Sequence, residues 1–205
     1  ITVLLASGLD QPPVWDTTSG LFTPAITLAE NDFDLVDLLS RPGWSKGGPN
    51  IHAFSIVTWI TGLALRVLGD GAPLLVTLHA LHFCAGAATL VGLFRLAAPL
   101  LDPRLALGLV GTVMLFPLFQ VQIGYLYTEI PLALCTVWSL REAAVRRWTH
   151  TVLWSALACS VKESGIVVPV ALAVAALLER APVAARARRV VALSVAPLFF
   201  GSLHT

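Results

Sequence analysis

Two long runs without a formal charge constrain this chain more than any motif. Gly71 to Phe94 lies between Asp70 and Arg95, and its only polar ring residues are His79 and His82. Leu105 to Thr128 lies between Arg104 and Glu129 and carries no Asp, Glu, Lys or Arg. At about 1.5 Å per helical residue, each run is long enough to cross a hydrocarbon core about 30 Å thick. Lipid offers the backbone no hydrogen-bond partner, so such runs are expected to be helices.

Composition agrees. Hydrophobic residues make up 57% of the 205 residues and charged residues 12%, with a mean hydropathy of +0.82. A water-soluble domain carries about twice that charge. The expected fold class is therefore an all-α polytopic membrane protein. The chain opens on "ITVLLASGL", which reads as the outer end of a first span, and its last apolar run, Val190 to Thr205, has no closing flank. Both ends read as parts of a larger chain. Cys84, Cys135 and Cys159 lie in apolar segments with no paired spacing and read as small buried hydrophobes.

Arginine placement sets the expected topology. Arg95 and Arg104 flank one turn, Arg141, Arg146 and Arg147 the next on that side, and Arg180, Arg186, Arg188 and Arg189 a third. Only Arg41, Lys46, Arg66 and Lys162 fall opposite, so the arginine side reads as cytoplasmic. The expected organisation is a single transmembrane domain over 1–205. Residues 1–9 end the first span, 10–49 form a long outer loop and 50–69 an interfacial helix, with further spans over 72–205. Those spans are expected near 72–96, 104–123, 127–146, 148–162, 164–180 and 190–205, with an Ala/Val/Arg-rich loop at 181–189. Ile56, Ile60, Leu63 and Val67 share one face of the 50–69 segment; His52, Ser55, Trp59, Gly62 and Arg66 share another. That pattern suits a helix lying in the outer leaflet.

This topology gathers "PPVWDTTSG", "RPGWSKGGPNIH", "YLYTEIPL" and "VKESG" on the outer face. An ionisable group near membrane level is a functional candidate by default, and Glu129 and Lys162 meet that description. A partly desolvated carboxylate suits general-base work on a hydroxyl or amine, and a lysine suits holding a phosphate. The plainer reading of Glu129 is an acid placed at a helix N-terminus. Asp16 alone is an ordinary loop acid, and Asp32, Asp34 and Asp37 read as a solvated helix face. His79 and His82 lack further metal ligands and read as interhelical hydrogen-bonding groups.

The order of these features resembles the N-terminal part of the GT-C glycosyltransferases, in the group of the protein O-mannosyltransferases and the lipid A aminoarabinose transferase-like enzymes. Asp16 of "PPVWD" stands where that family's first acid belongs, and "KGGPNIHAFSIVTWITGLALRVLG" resembles its interfacial segment. "YTEIPLAL" resembles the second acidic site at Glu129, and "VKESGIVVPVAL" resembles the turn that supplies Lys162. Two features depart from the pattern. Thr17 follows Asp16 where the family often has Glu, and two glycines separate Lys46 from Pro49.

The resemblance implies a GT-C-type helix bundle that moves a sugar from a polyprenyl- or dolichyl-phosphate donor to an acceptor hydroxyl, with inversion. Asp16 and Glu129 would be the catalytic carboxylates. Lys46, His52, Arg66 and Lys162 would contact substrate. No metal, cofactor or nucleic acid is implied. The partners would be the lipid-linked donor, a protein, lipid or glycan acceptor, and membrane lipid. The setting would be a multi-pass protein of a bacterial plasma membrane with its active face outward. A transporter or a structural membrane subunit is the competing expectation. It is weakened by the ionisable residues lying at one face, with no inverted repeat.

Overall fold

The computed structural model describes residues 21–34 and 55–203, and these residues are helical with no strand among them. Asp16, Lys46 and His52 lie outside the described residues, as do the end of the first expected span and Asp37. In chain order the helices are α1 (Thr23–Glu30), α2 (Ile56–Leu68), α3 (Ala72–Ala97), α4 (Pro103–Leu115), α5 (Pro117–Gly124), α6 (Glu129–Ala144) and α7 (Trp148–Val161). A 3₁₀ turn (Glu163–Ile166) then leads into α8 (Val167–Leu178), followed by α9 (Val183–Leu203). The chain divides into two compact units, one of residues 1–84 and 117–128, the other of 85–116 and 129–205.

Three differences from the sequence reading have clear physical causes. First, α1 lies inside the stretch read as an outer loop. Its Ala25, Leu28 and Ala29 recur at helical spacing and are buried, so a short apolar stripe orders it. Second, the run over 104–123 is two helices rather than one. Phe116 is extended (φ −66°, ψ 123°) because the ring of Pro117 crowds the helical conformation of the residue before it. Third, residues 183–189 of the expected Arg-rich loop are the first turns of α9, as alanine and arginine are strong helix formers. Asp32 also stands elsewhere than on a helix face. The Phe33 amide donates to Leu28 O at 3.0 Å and the Asp32 amide to Ala29 O at 3.4 Å, a Schellman turn that ends α1.

Of these helices, α3 alone is long and apolar enough to cross a membrane by itself; α4 and α5 qualify only if taken as one broken span. With 16 and 14 residues, α6 and α7 fall short of the roughly 20 needed to span the hydrocarbon core.

In the first unit, Leu74 and Leu78 of α3 and Leu126 form a buried cluster, joined by Phe22, Ala64 and Leu65. Leu126 is left-handed (φ 59°), a conformation that packing must hold in a residue with a branched side chain. The Tyr127 amide closes the same turn on Gln122 O at 3.3 Å. Helix α2 packs on α1 with Gly62 against the Ala25 carbonyl and the Phe33 ring. Its buried side chains are Val57, Thr58 and Thr61, whereas Ile60, Leu63 and Val67 are 47%, 58% and 72% exposed. A helix lying on a water-soluble core shows the opposite arrangement.

The second unit likewise buries hydroxyl side chains, here beside apolar ones such as Ile130, Leu172 and Leu193. Helices α6 and α7 form an antiparallel hairpin closed by a second Schellman turn, in which the Arg147 amide donates to Glu142 O and the Arg146 amide to Ala143 O, each at 2.9 Å. Residues equidistant from that turn meet across it. Trp138 and Trp154 stack with centroids 5.9 Å apart, and Ser155 Oγ donates to Ser139 Oγ at 3.3 Å. Ser139, Thr151 and Ser155 are buried, while Leu105, Leu115, Val167 and Leu198 face outward. Cys135 and Cys159 are buried as expected; Cys84 is exposed.

Trp138 also donates from Nε1 to Ala88 O of α3 at 3.1 Å. Gly92 makes that approach possible, for a Cβ there would stand 2.9 Å from both Trp138 Nε1 and Val137 Cγ1. Gly92→Leu is therefore expected to force α3 and α6 apart and destabilise the protein by about 1–3 kcal/mol, as overpacked sites do. A thermal melt of the variant checks this; an unchanged midpoint would rule out the close approach.

Candidate functional site

Glu129 is the first residue of α6, where its charge faces the positive end of the helix dipole. Lys162 ends α7 in an extended conformation (φ −158°, ψ 151°) that turns its side chain off the helix. Because α6 and α7 run antiparallel, the start of one lies beside the end of the other. Lys162 Nζ donates to Glu129 Oε1 at 2.5 Å, and the two side chains are 29% and 34% exposed. Residues 33 apart in sequence thus form one partly buried ion pair. Glu129 Oε2 is buried and has no hydrogen-bond partner among the described residues.

The turn after Lys162 is fixed by the backbone. The Gly165 amide donates to Lys162 O at 2.8 Å. An added Cβ on Gly165 would lie 2.0 Å from Ala158 O and 2.4 Å from its carbonyl carbon. The "VKESG" turn therefore rests directly on the last turn of α7, and Gly165 is what lets Lys162 leave the helix where it does.

Arg66 belongs to the first unit. Its guanidinium pairs with Asp32 across the surface and donates to Ala29 O at 3.3 Å. Beside it opens a cleft of about 610 Å³, lined by Glu30 and Asp70 as well as Phe22, Ile26 and Leu74. Two acids thus share this cleft with Arg66, which sequence alone did not indicate.

His82, in α3, places Nδ1 3.2 Å from Leu78 O and Nε2 3.3 Å from Tyr127 O. A neutral imidazole has one N–H, so it donates to one of these carbonyls at a time. His82 thus bonds within α3 and to the turn before α6 rather than to another helix, and among the described residues His79 Nε2 is buried without a partner. Among the described residues no group of three or more His, Cys, Asp or Glu side chains is placed to hold a metal ion.

Of the six residues picked out from the sequence, then, Glu129 and Lys162 meet, and Arg66 is engaged with Asp32 and Ala29. No protein family, curated protein or solved structure matches the chain. The described residues define an all-helical protein that buries several serine and threonine side chains beside its apolar ones and leaves many large apolar side chains exposed.

Proposed function

We propose that the chain is part of an integral-membrane glycosyltransferase that takes a sugar from a polyprenyl- or dolichyl-phosphate donor at the outer face. The observation that carries this reading is the Glu129–Lys162 pair. It joins two of the six residues that the GT-C resemblance marks, one as acid and one as phosphate-holding cation. The membrane setting is supported by helices that bury serine and threonine and expose leucine and valine. In lipid, helices pack through small and hydroxyl side chains, and apolar faces cost nothing outside.

In the proposed reaction the acceptor hydroxyl attacks the anomeric carbon from the face opposite the phosphate. The new C–O bond forms as the carbon–phosphate-oxygen bond breaks, which inverts the centre. The hydroxyl proton passes to a carboxylate, with Asp16 as general base. Glu129 Oε2, buried and short of a hydrogen bond, would take one from the acceptor and orient it. The electron pair of the broken bond leaves on the polyprenyl phosphate. Lys162, with Lys46 and His52, would steady that charge, which is worth most in a water-poor site. The resemblance also gives Arg66 a substrate contact; in the first unit it pairs with Asp32 at the surface, a contact that holds it only weakly.

The test is sugar transfer by the full-length protein in membranes, given a panel of polyprenyl-phosphate sugars. Turnover or donor hydrolysis with one of them is the expected result. Silence across the whole panel from protein that is folded and membrane-inserted would overturn the reading.

A further inference from the structure

The opposite end of the α6–α7 hairpin, about 24 Å along α6 from Glu129 at 1.5 Å per residue, has its own chemistry. There the α6–α7 turn lies beside the α8–α9 turn, tied by one acid. Glu179 pairs with Arg189 and, at 3.9 Å, with Arg146. The Arg189 guanidinium also sits 4.4 Å over the Trp148 ring. With Glu179 shared in this way, positive charge is left over. Arg147, Arg180 and Arg188 are exposed and have no ion-pair partner among the described residues.

A second observation points the same way. Three N–H donors at this end, Arg141 Nε, Trp148 Nε1 and Arg186 Nε, are buried without an acceptor among the described residues. One buried acceptor, Glu142 Oε2, is likewise unmatched, its other oxygen being taken by Arg141. A buried donor left unpaired is costly, because it gives up its bond to water and gains none in return. Several donors in excess, on the same turns and helix ends as three exposed arginines, call for an anion with several oxygens. The rim of the same end is apolar: Leu177, Leu178 and Val183 are all exposed. A ligand with a phosphate at one end and hydrocarbon at the other satisfies both surfaces. Free phosphate satisfies only the first.

We propose that this arginine-rich end of the second unit binds the head-group phosphate of an anionic phospholipid. The proposal rests on the membrane reading but not on glycosyl transfer, and it concerns the end of the hairpin away from Glu129 and Lys162. Arginine suits the task because its planar fork meets phosphate oxygens in pairs. Its charge also adds to the attraction of an anionic leaflet.

The experiment takes the full chain in neutral detergent, stripped of native lipid. The probes are dioleoylphosphatidylglycerol, dioleoylphosphatidylcholine and inorganic phosphate, read by the thermal midpoint and by lipid retained in native mass spectrometry. The anionic lipid is expected to raise the midpoint and to persist as an adduct, with little effect from the other two. In Arg147→Ala/Arg180→Ala/Arg188→Ala, whose three side chains are exposed and whose fold should survive, binding should weaken on the order of a hundredfold. Equal shifts with both lipids, an equal shift with inorganic phosphate, or full binding by the triple variant would each overturn the proposal. Alkaline extraction of the membranes beforehand separates the two layers of the argument. A chain released into the supernatant overturns the membrane reading and this site with it. A chain that stays in the membrane yet fails the lipid comparison overturns the site alone.

Discussion

Gly165→Ala is expected to lower the unfolding midpoint by roughly 6–12 °C, from a cost of about 3 kcal/mol at about 2–4 °C per kcal/mol for a chain of this size. The effect is large because the new methyl group would meet backbone, not a side chain able to rotate away. Ala158 O lies 2.0 Å and Cys159 N 2.9 Å from where the Cβ would be. Relief requires the 3₁₀ turn to lift off the end of α7. That would carry Lys162 away from Glu129, so the ion pair is expected to be lost along with stability. Gly108→Ala and Gly111→Ala are the controls. Both positions are inside α4 with nothing near the added carbon. They should hold or gain stability, since alanine is favoured over glycine in a helix by about 1 kcal/mol. Melting curves of the three variants decide the matter. If Gly165→Ala melts with the controls, the turn does not touch α7 as described.

Gly165 also shows how far sequence reasoning reaches here. The "VKESG" motif marked Lys162 as a functional candidate, but its glycine had no stated role. Only the three-dimensional contact supplies one. Helix α3 was readable end to end because one apolar run set it, bounded by Gly71 and by the turn at Arg95 to Arg104. Apolar content did not, however, mark where helices stop. Phe116 breaks the next run for a reason, the following proline, that hydropathy averages away. Helix α1 was missed because the stretch around it is rich in proline, glycine and acids. The spacing of Ala25, Leu28 and Ala29 was the available signal.

For the site, the meeting of Glu129 and Lys162 follows from two helices of similar length running antiparallel, and so from the positions of "YTEIPL" and "VKESG". The pairing of Arg66 with Asp32 does not follow from any pattern. It depends on the Schellman turn after α1, which turns a residue expected on a helix face toward α2. The same holds for the cleft beside Arg66, whose Glu30 and Asp70 come from elements 40 residues apart. Short-range patterns carry the elements; contacts between elements depend on turn geometry that a few backbone bonds decide.

The second large effect is expected at the ion pair itself. Under the proposed function, Glu129→Gln keeps the side chain's shape and removes its charge. It should lower sugar transfer by about 10²-fold or more, in the range that a positioned acid–base group contributes. Lys162→Met should lower transfer by a similar factor through lost stabilisation of the leaving phosphate. Each single change also strands the partner's charge. At roughly one-third exposure that should cost only about 1–2 kcal/mol of stability, since solvent screens much of it. A structural pair and a catalytic pair make the same prediction to this point. The exchange Glu129→Lys/Lys162→Glu separates them. A pair that only ties α6 to α7 needs opposite charges in either order, so the exchange should recover most of the stability lost by the single variants, less about 0.3–1 kcal/mol for a cation at the start of α6. A pair that also acts on substrate needs the carboxylate at the start of α6, where its second oxygen faces the acceptor, and the ammonium at the turn. The exchanged protein is therefore expected to melt near wild type and to remain inactive. Recovery of transfer alongside stability would assign the pair to the fold alone.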